Sequence, residues 1–298
     1  MTLFLQQLIN GLSLGAIYAL IALGYTMVYG TLQLINFAHS EVFMMGAFAA
    51  FLFAGAMGWG DGAGVGAAAA VALVAMGSCA ILGMTIERIA YRPMRKSTRL
   101  NMLITAIGVS IFLQNLALRL WGTNLTFPDL IAKTNWEIAG VNVASNSVMV
   151  LGVTLVLMIG LTWLIEKTKI GLAMRAVSHS RETAALMGIP VDRTISFTFA
   201  LGSALAGAGA FLFLLGAPKV DPQMGAMPGL KAFVAAVLGG IGSVPGAVVG
   251  ALVLGLCETF VSGYVSSTWR DAVAFCVLIV ILLYKPSGLF GKHIVEKV

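Results

Sequence analysis

The chain of 298 residues is 59% hydrophobic and only 10% charged, against about 25% charged residues in an ordinary soluble domain. That composition excludes a soluble globular protein and leaves a polytopic membrane protein. The net charge of +6 lies in clusters between apolar runs, with no aromatic-rich basic patch, so it speaks for membrane topology and against nucleic-acid binding.

A membrane-spanning helix needs about 20 mostly apolar residues. Runs of that kind predict spans at 8–29, 37–57, 64–86, 101–121, 147–165 and 194–216. The first carries no basic residue ahead of it, Arg88 being the first Lys or Arg of the chain, so it does not read as a cleavable signal peptide. The second opens with INFAHSEVF. His39 and Glu41 there are ionisable groups in an apolar run and therefore candidates for a pathway or gate. Asn36 precedes them as a candidate helix cap. The competing reading is a helix start at the cytoplasmic interface, where both side chains stay wet. Further on, AGVGAAAAVALVAMGSCAILG and ALGSALAGAGAF supply small residues that let helices approach closely. Cys79, Cys257 and Cys276 sit in apolar runs without a CxxC spacing, which predicts small buried side chains and no metal or disulfide.

The basic residues fix an orientation. Arg88, Arg92, Arg95, Lys96 and Arg99 fall within 87–99, and Lys167, Lys169, Arg175, Arg181 and Arg193 within 166–193. Lys285, Lys292 and Lys297 follow in the tail, whereas the alternate loops hold only Lys133 and Lys219. The positive-inside rule places the three basic regions in the cytoplasm.

The second basic region contains KIGLAMRAVSHSRETAALMGIP. On one helix, Ala173, Ala176, Val177, Ser180, Ala184 and Met187 form a stripe of small and apolar residues, with Arg175, His179, Arg181 and Glu182 off it. Gly188 suits a C-terminal position of positive φ, and Pro190 discourages continuation. Two readings fit the pattern: a surface helix resting on lipid headgroups, and a docking helix for another protein.

The stretch 229–263 is interrupted by Gly239, Gly240, Gly242 and Pro245. Irregular backbone at membrane depth is tolerated only when buried in protein or lining a cavity, so these residues are pathway or gate candidates, with a packing kink as the alternative. The part 229–239 is too short to span at a rise of ~1.5 Å per residue. The total is therefore eight or nine spans, ending with 269–284. If 229–241 crosses or nearly crosses, the N-terminus faces outward and the basic tail inward. Glu258 is expected either at a cavity or near the outer membrane edge, and Lys231 and Arg270 are expected to snorkel from helix ends.

Four segments together resemble the permease subunits of ABC importers of the branched-chain amino acid class, in particular the H-type subunit of the high-affinity Leu/Ile/Val importer family. They are ALGYTMVYGTLQLINFAHSEVFMMGA, ERIAYRPMR, RAVSHSRETAALMGI and AFVAAVLGGIGSVPGAVVGALVLG, in that order over nearly the whole chain. Ser40 departs from the pattern, where Gly usually follows NFAH, which puts the local backbone in question. His179 and Ser180 also depart from the usual Gln or Glu and Asn or Asp.

The resemblance implies an all-α, polytopic membrane helix bundle, one permease domain over 1–298, with a broken helix near 239–247 and a short cytoplasmic coupling helix within 166–193. It implies Arg175, Ala176, His179, Ala184, Leu186, Gly188 and Ile189 as the coupling element toward ATPase subunits. It implies, as partners, a second homologous permease, two cytoplasmic ATPases that carry the ATP and Mg, and a periplasmic binding protein, all at a bacterial inner membrane. The chain itself is expected to hold no cofactor and to be no enzyme: it has no G-x-x-x-x-G-K-[ST] phosphate loop and no HExxH, and its Asp residues lie outside helix centres. Urea or short-amide permeases of the same class and a self-sufficient secondary transporter remain as alternatives; the latter would carry coupling-ion carboxylates deep in several helices.

Overall fold

The computed structural model describes residues 2–33, 35–95, 97–132, 134–138, 140–285 and 287–291. Of the basic residues counted above, Lys96, Lys133, Lys292 and Lys297 lie outside them, as does the Arg99 side chain.

Helices carry nearly all of the described chain. In order they are α1 (Thr2–Leu32), α2 (His39–Ala56), α3 (Val65–Ile86) continuing through a π turn Glu87–Tyr91 into α4 (Arg92–Met94), α5 (Arg99–Trp121), α6 (Ser145–Lys167), α7 (Lys169–His179), α8 (Arg181–Leu186), α9 (Val191–Gly216), α10 (Ala226–Gly239), α11 (Val244–Tyr264) and α12 (Arg270–Tyr284). Among the described residues, eight helical stretches are long and apolar enough to cross a membrane, and α10 is a shorter apolar helix. Its 14 residues rise only ~21 Å at 1.5 Å per residue, less than the ~30 Å hydrocarbon core. Of the eight or nine spans expected, eight are long enough to cross, and the ninth candidate is an apolar helix too short to cross alone.

Two short ribbons lie at one end. β1 (Leu125–Thr126) pairs antiparallel with β4 (Lys219–Val220), and β2 (Asn135–Ile138) with β3 (Val141–Ala144). Gln6 exchanges hydrogen bonds of 2.9 and 3.0 Å with the Asn142 backbone, so the start of α1 is at this end, away from the basic loops.

Packing follows the small residues. α1 is enclosed, chiefly by α11, α9 and α10, while α3, α5, α6 and α12 are largely exposed. Gly11 and Gly15 let α1 meet the α11 backbone at Leu252 and Leu256, and Gly207 lets α9 meet α3 at Ala75. Without water in the surrounding phase, such close backbone contact supplies the association through van der Waals packing. α10 and α11 form a hairpin whose backbones touch at Gly239, Gly246 and Gly250. Its turn places Gly240 and Gly242 at φ of 102° and 93°, which glycine alone adopts without strain. Ser243 then caps α11 by accepting from the Gly246 N–H at 3.2 Å, with Pro245 in the first turn.

The segment expected to hold one cytoplasmic helix folds as two. Ser180 is extended and caps α8, accepting from Thr183 N–H at 3.2 Å. α8 closes in a Schellman motif: Gly188 N–H bonds Ala185 O and Ile189 N–H bonds Ala184 O, each at 3.0 Å, with Gly188 at φ 78°. The break rotates the stripe, so Met174, Val177 and Ala184 are buried but Met187 faces out.

Candidate functional site

Three regions hold the residues singled out from sequence, and the fold joins two of them. At the end that carries the basic loops, Thr168 caps α7 through the Gly171 N–H at 3.1 Å, and Gly171 presses onto the carbonyls of Leu164 and Ile165, where a Cβ has no room. This sharp reversal brings the Arg175 guanidinium onto the Ile165 carbonyl. Arg175 and Gly242 then line one small cavity of about 150 Å³ with Thr26, Thr31, Met174 and Val244. The coupling candidates and the glycine turn after α10 are neighbours, although the sequence separates them widely. Gly239 and Gly240 meet the chain after α12, with Leu289 and Phe290 N–H groups on Leu238 and Gly239 carbonyls at 2.9 and 3.0 Å.

Of the remaining coupling candidates, Ala184 is buried, Ala176 and Ile189 are half-buried, and His179 is exposed. Leu186 is 87% exposed and Met187 78%, an apolar tip that a solvated loop would not keep for its own stability. Arg181, which the sequence left off the stripe, is the fastener: its Nη2 donates to Leu32 O at 2.8 Å and to Thr31 O at 3.4 Å. These are orphan carbonyls at the C-terminus of α1, where a cation is favoured. Burial, and then the charge of Arg95, lower the Arg181 pKa from its ordinary value. Arg95 itself is lowered by burial, against the opposing pull of Glu87. It bonds both Glu87 and Asp192, and Arg92 bonds Asp192 as well, tying α4 to the start of α9.

The second region is midway through the bundle. After α1 the chain turns back inward, so that α2 begins with His39 against Gly24, which itself packs on Gly202 near the middle of α9. Gly24 is about two turns from the end of α1. His39 and Glu41 are 1% and 4% exposed, so the wet-interface reading is wrong for both. The His39 ring packs edge-on against Tyr25, centroids 4.8 Å apart. Asn36 does not cap α2, whose N-cap is Ala38; its Oδ1 instead accepts from Ala38 N–H at 3.1 Å and Tyr91 Oη at 2.6 Å, pinning the inward turn to the π segment. Ser40 has no positive φ and donates to Phe37 O at 2.9 Å; the backbone accepts serine where the resemblance expects glycine. From the opposite end, the chain after β4 also turns inward, and Gly225 and Gly229 pack on Ser40. The first turns of α2 and α10 therefore meet midway. There Glu41, Ser40, Ser110 and Tyr25 line a cavity of about 490 Å³ otherwise walled by apolar groups, among them Phe37, Leu103 and Phe233.

The third region is separate. Glu258 is fully buried near the other end of α11 and accepts from Tyr18 Oη at 3.1 Å, Lys231 Nζ at 2.9 Å and Arg270 Nε at 3.0 Å. Lys231 also reaches Asp271 at 2.7 Å. Snorkelling does not describe Lys231, which is 4% exposed and held by two carboxylates. No local pattern marks this cluster, since its members lie on four helices. Cys79 is buried, but Cys276 is exposed on α12. Among the described residues, no group of three His, Cys, Asp or Glu side chains is placed to hold a metal.

Comparison with known proteins places this geometry. Residues 7–282 match the family described as branched-chain amino acid transport system, permease component. The chain is 42% identical to the high-affinity branched-chain amino acid transport system permease protein LivH of Escherichia coli K12, over 99% of this chain and 98% of that one. It is 40% identical to the corresponding permease protein BraD of Pseudomonas aeruginosa, with the same coverage of 99% and 98%. Among solved structures, PsaBC from Streptococcus pneumoniae in complex with Fab aligns with a TM-score of 0.50 at 12% identity, covering 96% of this chain and 94% of that one, a likeness of fold.

Proposed function

Since the chain belongs to the permease-component family of branched-chain amino acid transport systems, we propose that it is the membrane-spanning permease of an ATP-driven importer for Leu, Ile and Val. In this reading it works with a second homologous permease in a bacterial inner membrane. Two cytoplasmic ATPase subunits bind ATP and Mg and supply the energy, and a periplasmic binding protein delivers the amino acid. One observation carries the coupling role: the α7–α8 unit presents an exposed apolar tip at Leu186 and Met187 while Arg181 fastens it to the end of α1. A docking element tied to a spanning helix transmits a push from outside the membrane.

Arg175, Ala176, His179, Ala184, Leu186, Gly188 and Ile189 make up that element. Asn36, His39 and Glu41 belong to the pathway, and Gly239, Gly240, Gly242 and Pro245 to the turn that shares a cavity with α7. Glu258 serves the outer ion cluster. The protein should be purified gently from its native membrane and the intact complex weighed by native mass spectrometry. Two ATPase subunits and a second permease are expected, and Arg175→Glu with Ala184→Glu should release the ATPases. A lone or homo-oligomeric chain that still moves solute without ATP would overturn the reading in favour of a secondary transporter.

A further inference from the structure

Among the described residues, Glu41 is the buried carboxylate without a cationic partner. Its Oε1 accepts from Ser110 Oγ at 3.1 Å, and Ser40 Oγ, which donates to Phe37 O, lies 3.4 Å away. Its Oε2 is buried without any hydrogen-bond partner among the described residues, as is Oε1 of Glu258. Glu87 is answered by Arg95, and Glu258 by Lys231 and Arg270, but no cationic side chain among the described residues pairs with Glu41. A buried carboxylate with one open oxygen is costly unless a donor arrives from elsewhere.

The open oxygen belongs to a group that lines the cavity of about 490 Å³, within the ~300–1,000 Å³ typical of small-molecule sites. The cavity is chemically divided. Glu41, Ser40, Ser110 and Tyr25 supply its polar groups. Leu103, Ile107, Leu230 and Phe233 make an aliphatic and aromatic wall. Ala226, the first residue of α10, also lines the cavity, next to Gly225 and Gly229, which press on Ser40, so the positive end of a 14-residue helix adjoins it.

We propose that this cavity is a transit site for an aliphatic α-amino acid, with Glu41 receiving its ammonium group, the start of α10 facing its carboxylate, and the Leu103–Ile107–Leu230–Phe233 wall holding its side chain. The assignment rests on the importer reading above and deepens it. It places recognition of the amino group inside the permease, in addition to whatever a delivering protein selects. An ammonium supplies the positive charge that the Glu41 carboxyl lacks. A plain fatty acid of the same carbon skeleton offers the apolar part but leaves Glu41 unanswered and adds a second negative charge beside it.

The test uses the assembled transporter in proteoliposomes. Ile107, on the exposed rim of the cavity, is replaced by cysteine in a Cys276→Ser background, and its alkylation by a maleimide is timed. Leucine is expected to slow alkylation, and 4-methylpentanoate, which lacks the amino group, is not. Glu41→Gln should remove the protection by leucine and lower leucine import by at least about tenfold, the loss of one charge-assisted hydrogen bond. Equal protection by leucine and 4-methylpentanoate, or protection and import that survive Glu41→Gln within twofold, would overturn the site. Should Glu41→Gln fail to assemble, Leu230→Trp decides: an assembled complex that fills the cavity and still imports leucine at the parental rate overturns it, and loss of import supports it. If the parental transporter imports no leucine at all, the importer reading fails first, and the site falls with it.

Discussion

At the scale of single residues, burial separates charges that hold the fold together from charges that wait for a partner. Glu258 is of the first kind. Its Oε2 receives Tyr18, Lys231 and Arg270, and Lys231 has 5% side-chain exposure. Removing one member of a buried ion pair leaves an uncompensated charge and costs ~3–5 kcal/mol, whereas replacing both by apolar groups of similar volume is near neutral. Glu258→Gln is therefore expected to lower the thermal midpoint of the detergent-purified protein, read by fluorescence-detected size exclusion. Lys231→Met combined with Glu258→Leu should lose clearly less than the sum of the single losses. Strict additivity would show that the two side chains are independent. None of this pairing is legible from sequence, because Tyr18, Lys231, Glu258 and Arg270 come together only once α10 and α11 have folded back on each other and against α1.

At the scale of elements, what could be read depended on how local the signal was. Spans of α1, α5, α6 and α9 followed from hydropathy, and the end of α8 at Gly188 followed from glycine's tolerance of positive φ. The inward turns before α2 and α10 did not, because a few turn residues have no period to detect. Nor did the division of α7 from α8, since Ser180 can sit in a helix or cap one. The role of Arg181 emerges from that division. By capping the carbonyls of Thr31 and Leu32, it joins α8 to the hinge between α1 and α2, and so to the turn that sets His39 and Glu41. Arg181→Ala is expected to leave the ATPases bound, because Leu186 and Met187 still present the docking tip. It should lower leucine imported per ATP hydrolysed by roughly 2–30-fold, the range of a 0.5–2 kcal/mol coupling change. An unchanged ratio in proteoliposomes would show that the push reaches the bundle by another route, such as the cavity that Arg175 shares with the α10–α11 turn.

At the scale of the whole molecule, the short helix α10 decides the topology. If it counts as a crossing, the chain crosses nine times and its ends lie on opposite faces; if it does not, they lie on one face. The geometry argues for a crossing. Residues before α10 meet Tyr18, Arg270 and Asp271 around a cavity of about 450 Å³ at the end of the bundle away from the basic loops, while Gly242 after it shares a cavity with Arg175 on the basic end. Backbone bonds from Leu289 and Phe290 to Leu238 and Gly239 carry the tail to that same end, which agrees with the basic tail predicted to face the cytoplasm. α10 manages this with less than a full membrane thickness because its first turn starts midway, on Ser40, and the turns at 222–225 lead the chain inward to it from β4. Single cysteines at Trp136, Leu186 and Leu289, each exposed, in a background lacking Cys257 and Cys276, test the arrangement with a membrane-impermeant maleimide. Trp136→Cys should react in intact spheroplasts, and Leu186→Cys and Leu289→Cys only after the membrane is opened. Reaction of Leu289→Cys alongside Trp136→Cys in sealed spheroplasts would reduce the crossings to eight, and it would separate the tail from the glycine turn that its backbone now holds.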